Sequence, residues 1–143
     1  MSFANPSPDE IKTLLQQVKT IAVVGLSPKA SRPSHSVSKA MQEFGYRIIP
    51  VRPAVDEVLG EKAWPELSAL PVVPDLVDVF RASEHVDPIV DACIELGIKA
   101  IWLQDGVVNE AAANRAKQAG MTVIMDRCIY RDYIQLVAPN GDD

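Results

Sequence analysis

Five short segments with the composition of β-strands, separated mostly by segments of helical periodicity, constrain the fold of this chain more than any other feature of its sequence. The predicted strands are Thr20–Val24, Tyr46–Val51, Asp75–Phe80, Ile98–Leu103 and Met121–Met125. Strands that alternate with helices of about ten to fifteen residues pair in parallel through right-handed crossovers. We therefore predict one domain over residues 1–143 with a Rossmann-like fold. It is a three-layer α/β/α sandwich around a five-stranded, mainly parallel sheet.

Capping residues and glycines mark the ends of the predicted helices. The helices start at the capping box Ser7-Pro8-Asp9-Glu10, at Pro33-Ser34, at either Ser83 or Asp87, and at Asn109, and the last three end near Gly45, Gly97 and Gly120. The first of them, within residues 1–19, is expected to pack on the outside of the sheet. Residues 54–74 are predicted to be irregular with a short helix near Glu66, and residues 137–143 to form a frayed tail.

Composition excludes several classes of function. The 143 residues suffice for one core, 48% are hydrophobic and 23% charged, and no apolar run approaches the ~20 residues that cross a bilayer. We expect a cytoplasmic protein with no membrane association. The net charge of −5 argues against general nucleic-acid binding, and Cys93 and Cys128 are too far apart for a Cys-x-x-Cys pair, so no metal site is predicted.

The residues that follow the strands are the candidate ligand contacts, because open parallel sheets bind ligands at the carboxyl ends of their strands. Residues 25–52 contain five cations and only one acid, a local charge of +4 in an acidic chain. Gly25 would let the backbone approach an anion, and Ser27, Ser34 and free helix amides would bind phosphate oxygens. With Arg32 beside it, the segment is interpreted as a phosphate-binding loop.

The end of the second strand narrows the choice of nucleotide. The loop has one glycine where a dinucleotide fingerprint has three, and Arg52 stands where an NAD enzyme usually has an acid against the ribose diol. NAD is therefore disfavoured. A phosphorylated ribose suits an arginine, which leaves NADP, with its 2′-phosphate, and coenzyme A, with its 3′-phosphate.

Motifs spread from residue 20 to residue 128 resemble the small stand-alone CoA-binding protein family, which is similar to the N-terminal CoA-binding domain of the succinyl-CoA synthetase alpha subunit. The motifs are Val24-Gly25-Leu26-Ser27, Arg32-Pro33-Ser34, Gly45 to Val51, Val58-Leu59-Gly60, Asp78-Val79-Phe80-Arg81, Trp102-Leu103-Gln104, Asn109-Glu110 and Met125-Asp126-Arg127-Cys128. One departure stands out. Val51-Arg52-Pro53 replaces the Val-Asn-Pro that is common in the family.

The resemblance implies a binding site for coenzyme A or an acyl-CoA that spans four strand ends. The diphosphate would contact the 25–27 loop, Arg32 and Ser34. The adenosine would face Arg52-Pro53, and the pantetheine would pass Phe80-Arg81 and residues 104–109. The predicted binding residues are Gly25, Leu26, Ser27, Lys29, Arg32, Ser34, Val51, Arg52, Pro53, Phe80, Arg81, Gln104, Gly106 and Asn109.

No catalytic constellation stands out in the sequence. His35 and Cys128 fall near the predicted site, but a structural role is the simpler interpretation of each, and Asp75 and Asp78 are interpreted as turn and edge residues. The leading hypothesis is a non-catalytic CoA-binding module that works with an acyl-CoA enzyme or as a homo-oligomer. A small NADP-binding oxidoreductase and a ligand-free interaction domain are the alternatives.

Overall fold

A computed structural model describes residues 2–139 and confirms the five-stranded sheet. In chain order the strands are β1 (Thr20–Val24), β2 (Arg47–Val51), the two-residue strands β3 (Glu57–Val58) and β4 (Glu61–Lys62), β5 (Leu76–Val79), β6 (Ala100–Leu103) and β7 (Thr122–Met125). The sheet has the order β2-β1-β5-β6-β7 and every pairing in it is parallel. The chain moves outward from β1 to β2 and then returns to β5 on the other side of β1. This reversal creates a switch point between β1 and β5, where such folds bind their ligands.

Helices cover both faces of the sheet. They are α1 (Pro8–Gln17), α2 (Pro33–Glu43), α3 (Val86–Leu96), α4 (Glu110–Gln118) and α5 (Ile129–Asp132), with a π-helix at Tyr133–Val137 and 3₁₀ turns at Leu67–Ala69 and Ser83–His85. The predicted capping box of α1 is present, because the Ser7 hydroxyl accepts from the Glu10 amide and the Glu10 carboxylate accepts from the Ser7 amide. No helix within residues 2–139 is both long enough and apolar enough to cross a membrane.

Two hydrophobic layers sandwich the sheet, and alternate residues of each strand point into each layer. Ala22, Val77 and Ile101 face α3 and α4, whereas Val23 and Trp102 face α1, α2 and α5. The central strands are buried on both faces, which explains why their sequences are mostly apolar, with Asp78 of β5 as the exception.

The structure differs from the sequence prediction at the start of α3 and after β7. Neither Ser83 nor Asp87 caps α3, which follows directly from the 3₁₀ turn, and the Ser83 hydroxyl instead accepts from the Val108 amide at 2.9 Å. Beyond β7 the chain forms α5 and the π-helix. In the predicted tail, Val137 ends the π-helix and Ala138 is buried, while residues 140–143 lie outside the described residues.

The segment predicted to be irregular contains a small hairpin, β3 with β4, whose turn residues Leu59 and Gly60 both have positive φ. The 3₁₀ turn at Leu67–Ala69 lies where a short helix was expected. The same segment closes onto the end of β2, because the Arg52 amide donates to the Trp64 carbonyl at 2.8 Å. Arg52 therefore leaves the sheet on a backbone that is fixed by hydrogen bonding.

Asp78 is not the edge residue that the sequence indicated. It lies in β5, the central strand, between Val23 of β1 and Trp102 of β6, and it is 1% exposed. Its Oδ1 atom has no hydrogen-bond partner within residues 2–139, and burial raises the pKa of the carboxyl group well above its usual range. Asp75, by contrast, does occupy a turn, where its carboxylate accepts from the Lys19 and Thr20 amides, both at 3.0 Å.

Candidate ligand site at the switch point

A cavity of about 850 Å³ opens at the carboxyl edge of the sheet, over the switch point. This volume is typical of sites that bind cofactor-sized molecules. Most of the predicted binding residues line it: Gly25, Ser27, Lys29, Arg32, Ser34, Arg52, Pro53, Phe80, Arg81 and Gln104. Residues that are distant in the sequence therefore meet here because four strands end at the same edge.

Gly25 makes the turn from β1 into this cavity, and no other residue suits its position. Its φ is +88°, a left-handed conformation that side chains disfavour. A Cβ atom at Gly25 would also lie 2.5 Å from the Phe80 carbonyl oxygen and 2.9 Å from Cδ of Arg81. The backbone after β5 thus packs directly against the glycine.

Two serines hold the loop that follows Gly25. The Ser34 hydroxyl accepts from the Ser27 amide at 3.0 Å, and the Ser27 hydroxyl accepts from the Lys29 amide at 3.1 Å. The sequence analysis assigned both hydroxyls to phosphate binding, whereas in the structure their oxygens shape the loop. Each hydroxyl hydrogen is still available to donate, because accepting a bond uses only an oxygen lone pair.

Helix α2 starts at the wall of the cavity. Arg32 is its N-cap and provides no side-chain cap, and Pro33, which has no amide hydrogen, is its first residue. The amides of a first helical turn have no partners within the helix, and together with the helix dipole they favour an anion. The N-terminus of α2 and the Arg32 guanidinium thus add positive potential to the same wall.

The charges around the cavity are unbalanced. Four cations line it, and none of them makes an ion pair within residues 2–139: Lys29, Arg32, Arg52 and Arg81. One acid, Asp105, lines it as well, but its carboxylate is paired with Arg131 at 2.8 Å. Cations that have no acidic partner in a concave site attract anionic ligands.

Arg52 and Arg81 lie together beside Gly25. Arg52 Nη1 donates to the Gly25 carbonyl at 3.4 Å, and the aliphatic part of Arg81 packs against the same glycine. The sequence analysis placed Arg81 on the pantetheine path and Arg52 at the adenosine end. In the structure both arginines lie next to Gly25.

Four predicted binding residues do not line the cavity. Leu26 is fully buried and Val51 is 3% exposed, so both belong to the core. The Gly106 amide donates to the Asp126 carboxylate at 2.7 Å, in a turn with φ of +80°. Asn109 caps α4 by accepting from the Ala112 amide at 3.0 Å. These four residues therefore support the structure around the cavity and do not line it.

Several lining residues were absent from the predicted set. They are Pro28, Pro33, Val37, Ala54, Val55, Asp105, Val107 and Cys128. Val37 belongs to the apolar stripe of α2, which predicts a core position, so nothing in the sequence identifies it as lining. Val55 lies in an irregular segment whose path a sequence pattern does not predict.

The two cysteines occupy contrasting environments. Cys128 is half-buried and lines the cavity just after β7, whereas Cys93 is fully buried in α3, where burial raises the pKa of its thiol to about 12.

His35 does not line the cavity. Within the described part of the chain, no group of three or more His, Cys, Asp or Glu side chains could hold a metal ion.

Comparison with known proteins identifies a family model and relatives that match most of the chain. A family model described as a CoA binding domain matches residues 19–133. The uncharacterized protein YneT of Bacillus subtilis is 50% identical over 125 residues, which cover 87% of this chain and 93% of that protein. A hypothetical protein from Pyrococcus horikoshii superposes with a TM-score of 0.89 at 33% identity, over 96% of this chain and 99% of that one.

A more distant similarity links the chain to much longer enzymes. The ADP-forming acetate–CoA ligase I of Archaeoglobus fulgidus is 22% identical over 121 residues, which are 78% of this chain and 18% of the ligase. The chain thus corresponds to less than a fifth of the length of that ligase.

Proposed function

Because this chain belongs to the CoA binding domain family, we propose that it binds coenzyme A, free or acylated, at the switch-point cavity and acts as a cytoplasmic, non-catalytic module. One observation carries the proposal. Four cations that have no acidic partner within residues 2–139 line a cavity beside a glycine turn and a helix N-terminus. This environment suits a ligand with several phosphate groups.

The lining also matches the remaining parts of coenzyme A. The diphosphate would lie against the turn at Gly25, between Arg32 and the start of α2. The pantetheine arm, which is largely uncharged, would extend past Gln104 and Val107 toward Cys128. An acyl group on the thiol would then face the end of β7.

The similarity to acetate–CoA ligases supports a proposed partner. In those enzymes the matching segment is a small part of a longer chain. We propose that this chain presents its ligand to a separate enzyme that acts on acyl-CoA.

Titration calorimetry tests the ligand directly. Coenzyme A, dephospho-CoA, NADP and NAD would each be titrated into the protein at one salt concentration. We expect coenzyme A to bind more tightly than either dinucleotide. If coenzyme A gave no heat while NADP bound, the proposal would be wrong and the arrangement around Arg52 would instead support an NADP-binding protein. Absence of heat from all four ligands would favour an interaction domain without a nucleotide.

A pair of variants locates the site. Arg32→Ala removes an exposed cation of the cavity wall, and we expect it to weaken coenzyme A binding about tenfold, since a charge-assisted hydrogen bond contributes about 1.5–3 kcal/mol. Arg47→Ala is the matched control, because Arg47 is an exposed cation at the opposite end of β2 and lines none of the cavities described. Equal affinities for the two variants would contradict the assignment.

A further inference from the structure

We propose that a groove along α3 is the docking site for a partner protein, and that it binds a segment whose apolar side chains are flanked by lysines or arginines. Two cavities, of about 390 and 330 Å³, form this α3 groove. Both are lined by Ser68, Pro88 and Ala92, so they are continuous. The inference rests on the proposed function, because it identifies the surface at which this chain would contact a separate enzyme.

The α3 groove lies between the 3₁₀ turn at Leu67–Ala69 and one side of α3. From Pro88 to its outer end at Leu96 the helix rises by about 12 Å, at 1.5 Å per residue, which is enough for a short peptide segment. Apolar residues predominate in the lining, among them Pro65, Leu67, Pro88, Ile89, Ala92 and Leu96. The prolines have a fixed φ, so little backbone entropy is lost there when a partner binds.

The outer end of the α3 groove is acidic. Asp91 and Glu95 line the cavity at this end, which no lysine or arginine lines, and Glu66 lines the adjoining cavity. Asp91 is paired with Arg115, whereas Glu66 and Glu95 make no ion pair with any other residue that the structure describes. Two unpaired carboxylates beside an apolar groove complement a segment that carries cations next to its apolar side chains.

A second copy of this chain does not offer such a segment. Within residues 2–139 the exposed large apolar side chains are Val72, Val73, Ile94, Val108 and Tyr130. Only Tyr130 has a cation adjacent to it in the sequence, and that residue, Arg131, is paired with Asp105. A different protein is therefore the proposed occupant of the α3 groove.

The position of the α3 groove suits a partner that acts on the bound ligand. Its inner end borders the switch-point cavity, because Pro53 and Arg81 line both. Cys128, near the expected thiol end of the ligand, lines the switch-point cavity but not the groove. A partner bound in the groove would thus lie beside the ligand and leave the end that carries the acyl group uncovered.

A pair of designed peptides tests the chemistry of the α3 groove. Both would contain the same leucines and a fluorescent label, with flanking lysines in one peptide and flanking glutamates in the other. Fluorescence anisotropy would measure their affinities for the unmodified protein at low and high salt concentration. We expect the lysine peptide to bind about tenfold more tightly at low salt, and this difference to shrink at high salt, where the carboxylates are screened.

Variants attribute the binding to the α3 groove. Ala92→Arg would place a long cationic side chain where the two cavities meet, and we expect it to abolish binding of the lysine peptide. Glu95→Lys reverses an exposed charge at the outer end and should weaken that binding several-fold. Glu57→Lys is the matched control, because Glu57 is an exposed acid that lines neither the groove nor the switch-point cavity. Melting curves would verify that each variant is folded.

Two results would overturn the partner docking site even if coenzyme A bound well. The first is equal binding of the two peptides by the unmodified protein, or binding of neither. The second is equal binding of the lysine peptide by Glu95→Lys and Glu57→Lys. Sedimentation would test the other occupant, since self-association that Ala92→Arg abolishes would assign the groove to a second copy of this chain and contradict the proposal.

Calorimetry with coenzyme A separates this inference from the proposed function. We expect Ala92→Arg to bind coenzyme A as the unmodified protein does, because Ala92 does not line the switch-point cavity. Binding of the lysine peptide in the groove by a protein that binds no coenzyme A would support the docking site and refute the proposed function.

Discussion

The carboxyl edge of the sheet has two halves, which differ in whether their cationic side chains are paired with acids. In the open half, which follows β1, β2 and β5, the cations have no acidic partners within the structure described: Lys29, Arg32, Arg52 and Arg81. In the paired half, which follows β6 and β7, Arg131 binds Asp105 and Arg127 binds Asp132 through two hydrogen bonds of 2.7 Å.

The difference separates charges that stabilise the fold from charges that are available to a ligand. Asp132 has a side chain only 1% exposed, so Arg127 compensates a buried carboxylate and stabilises the segment after β7. Within residues 2–139, no carboxylate is paired with the cations of the open half. Binding of an anion would relieve the repulsion among these cations. The following predictions test this division, beginning with the largest expected effect.

Replacing Gly25 with alanine should disrupt the open half most. The positive φ and the contact with Phe80 together predict a loss of about 2–4 kcal/mol in the free energy of unfolding, and loss of coenzyme A binding. Chemical denaturation and calorimetry would measure the two effects. Gly120→Ala is the control, because Gly120 has a φ of +94° but a Cβ atom there would meet nothing within 4 Å among the described residues other than its chain neighbours. It should cost only about 1–2 kcal/mol and leave binding intact.

Removing Arg127 should damage stability without acting on the ligand directly. Arg127→Ala leaves the Asp132 carboxylate buried without its partner, and we expect a loss of about 2 kcal/mol in the free energy of unfolding. The double variant with Asp132→Asn should recover part of this loss, because the buried charge is removed. If Arg127→Ala were as stable as the unmodified protein, the distinction between the two halves would fail.

Asp78 lies in β5, the strand of the open half that neighbours the paired half. Its carboxyl group makes the stability of the fold depend on pH. Burial raises its pKa in the folded state, so the contribution of its protonated form to stability is fully present below the unfolded pKa of about 4. This contribution is lost as the pH rises through the raised pKa of the folded state. We therefore expect Asp78→Asn to increase the melting temperature by a few degrees at pH 8 and to change it little near pH 4. A variant that is less stable at pH 8 would show that the ionised form is stabilised in the core.

The rate at which the Cys128 thiol is alkylated would show how far a ligand extends into the paired half. We expect saturating coenzyme A to slow alkylation of Cys128 by a maleimide several-fold, because the thiol lines the cavity near the expected end of the pantetheine arm. Cys93 serves as an internal control, since its buried thiol should react only on unfolding. Peptide mapping would distinguish the two residues. Alkylation of Cys128 at an unchanged rate would place the arm elsewhere.

The regular elements were predictable because their signals are local. The strand Thr20–Val24 contains four consecutive apolar residues, and the capping box at Ser7 needs only four consecutive residues. The π-helix at Tyr133–Val137 was missed, since its stability comes from packing: Tyr133 stacks on Phe44 with ring centroids 4.1 Å apart. Phe44 is distant in the sequence, and no local pattern indicates that contact.

The site was predictable only in outline, for a related reason. The rule that ligands bind at strand ends identified residues such as Arg32 and Arg52 correctly as lining the cavity. The rule does not distinguish a residue that faces the cavity from one that supports it. Asn109 caps α4, as its sequence context also predicted, and does not line the cavity. Asp78 was misplaced because the burial of a carboxyl group depends on which strand is central, and strand order is a property of the whole chain.

The hydrogen bonds of Ser27 and Ser34 have a kinetic consequence. They join the loop after β1 to the first turn of α2, so the loop has its shape without a ligand. Binding of a ligand to a rigid loop carries no entropic cost of ordering that loop, and association requires no conformational step. Association should therefore be fast and sensitive to ionic strength, and differences in affinity among acylated forms should arise mainly in their dissociation rates.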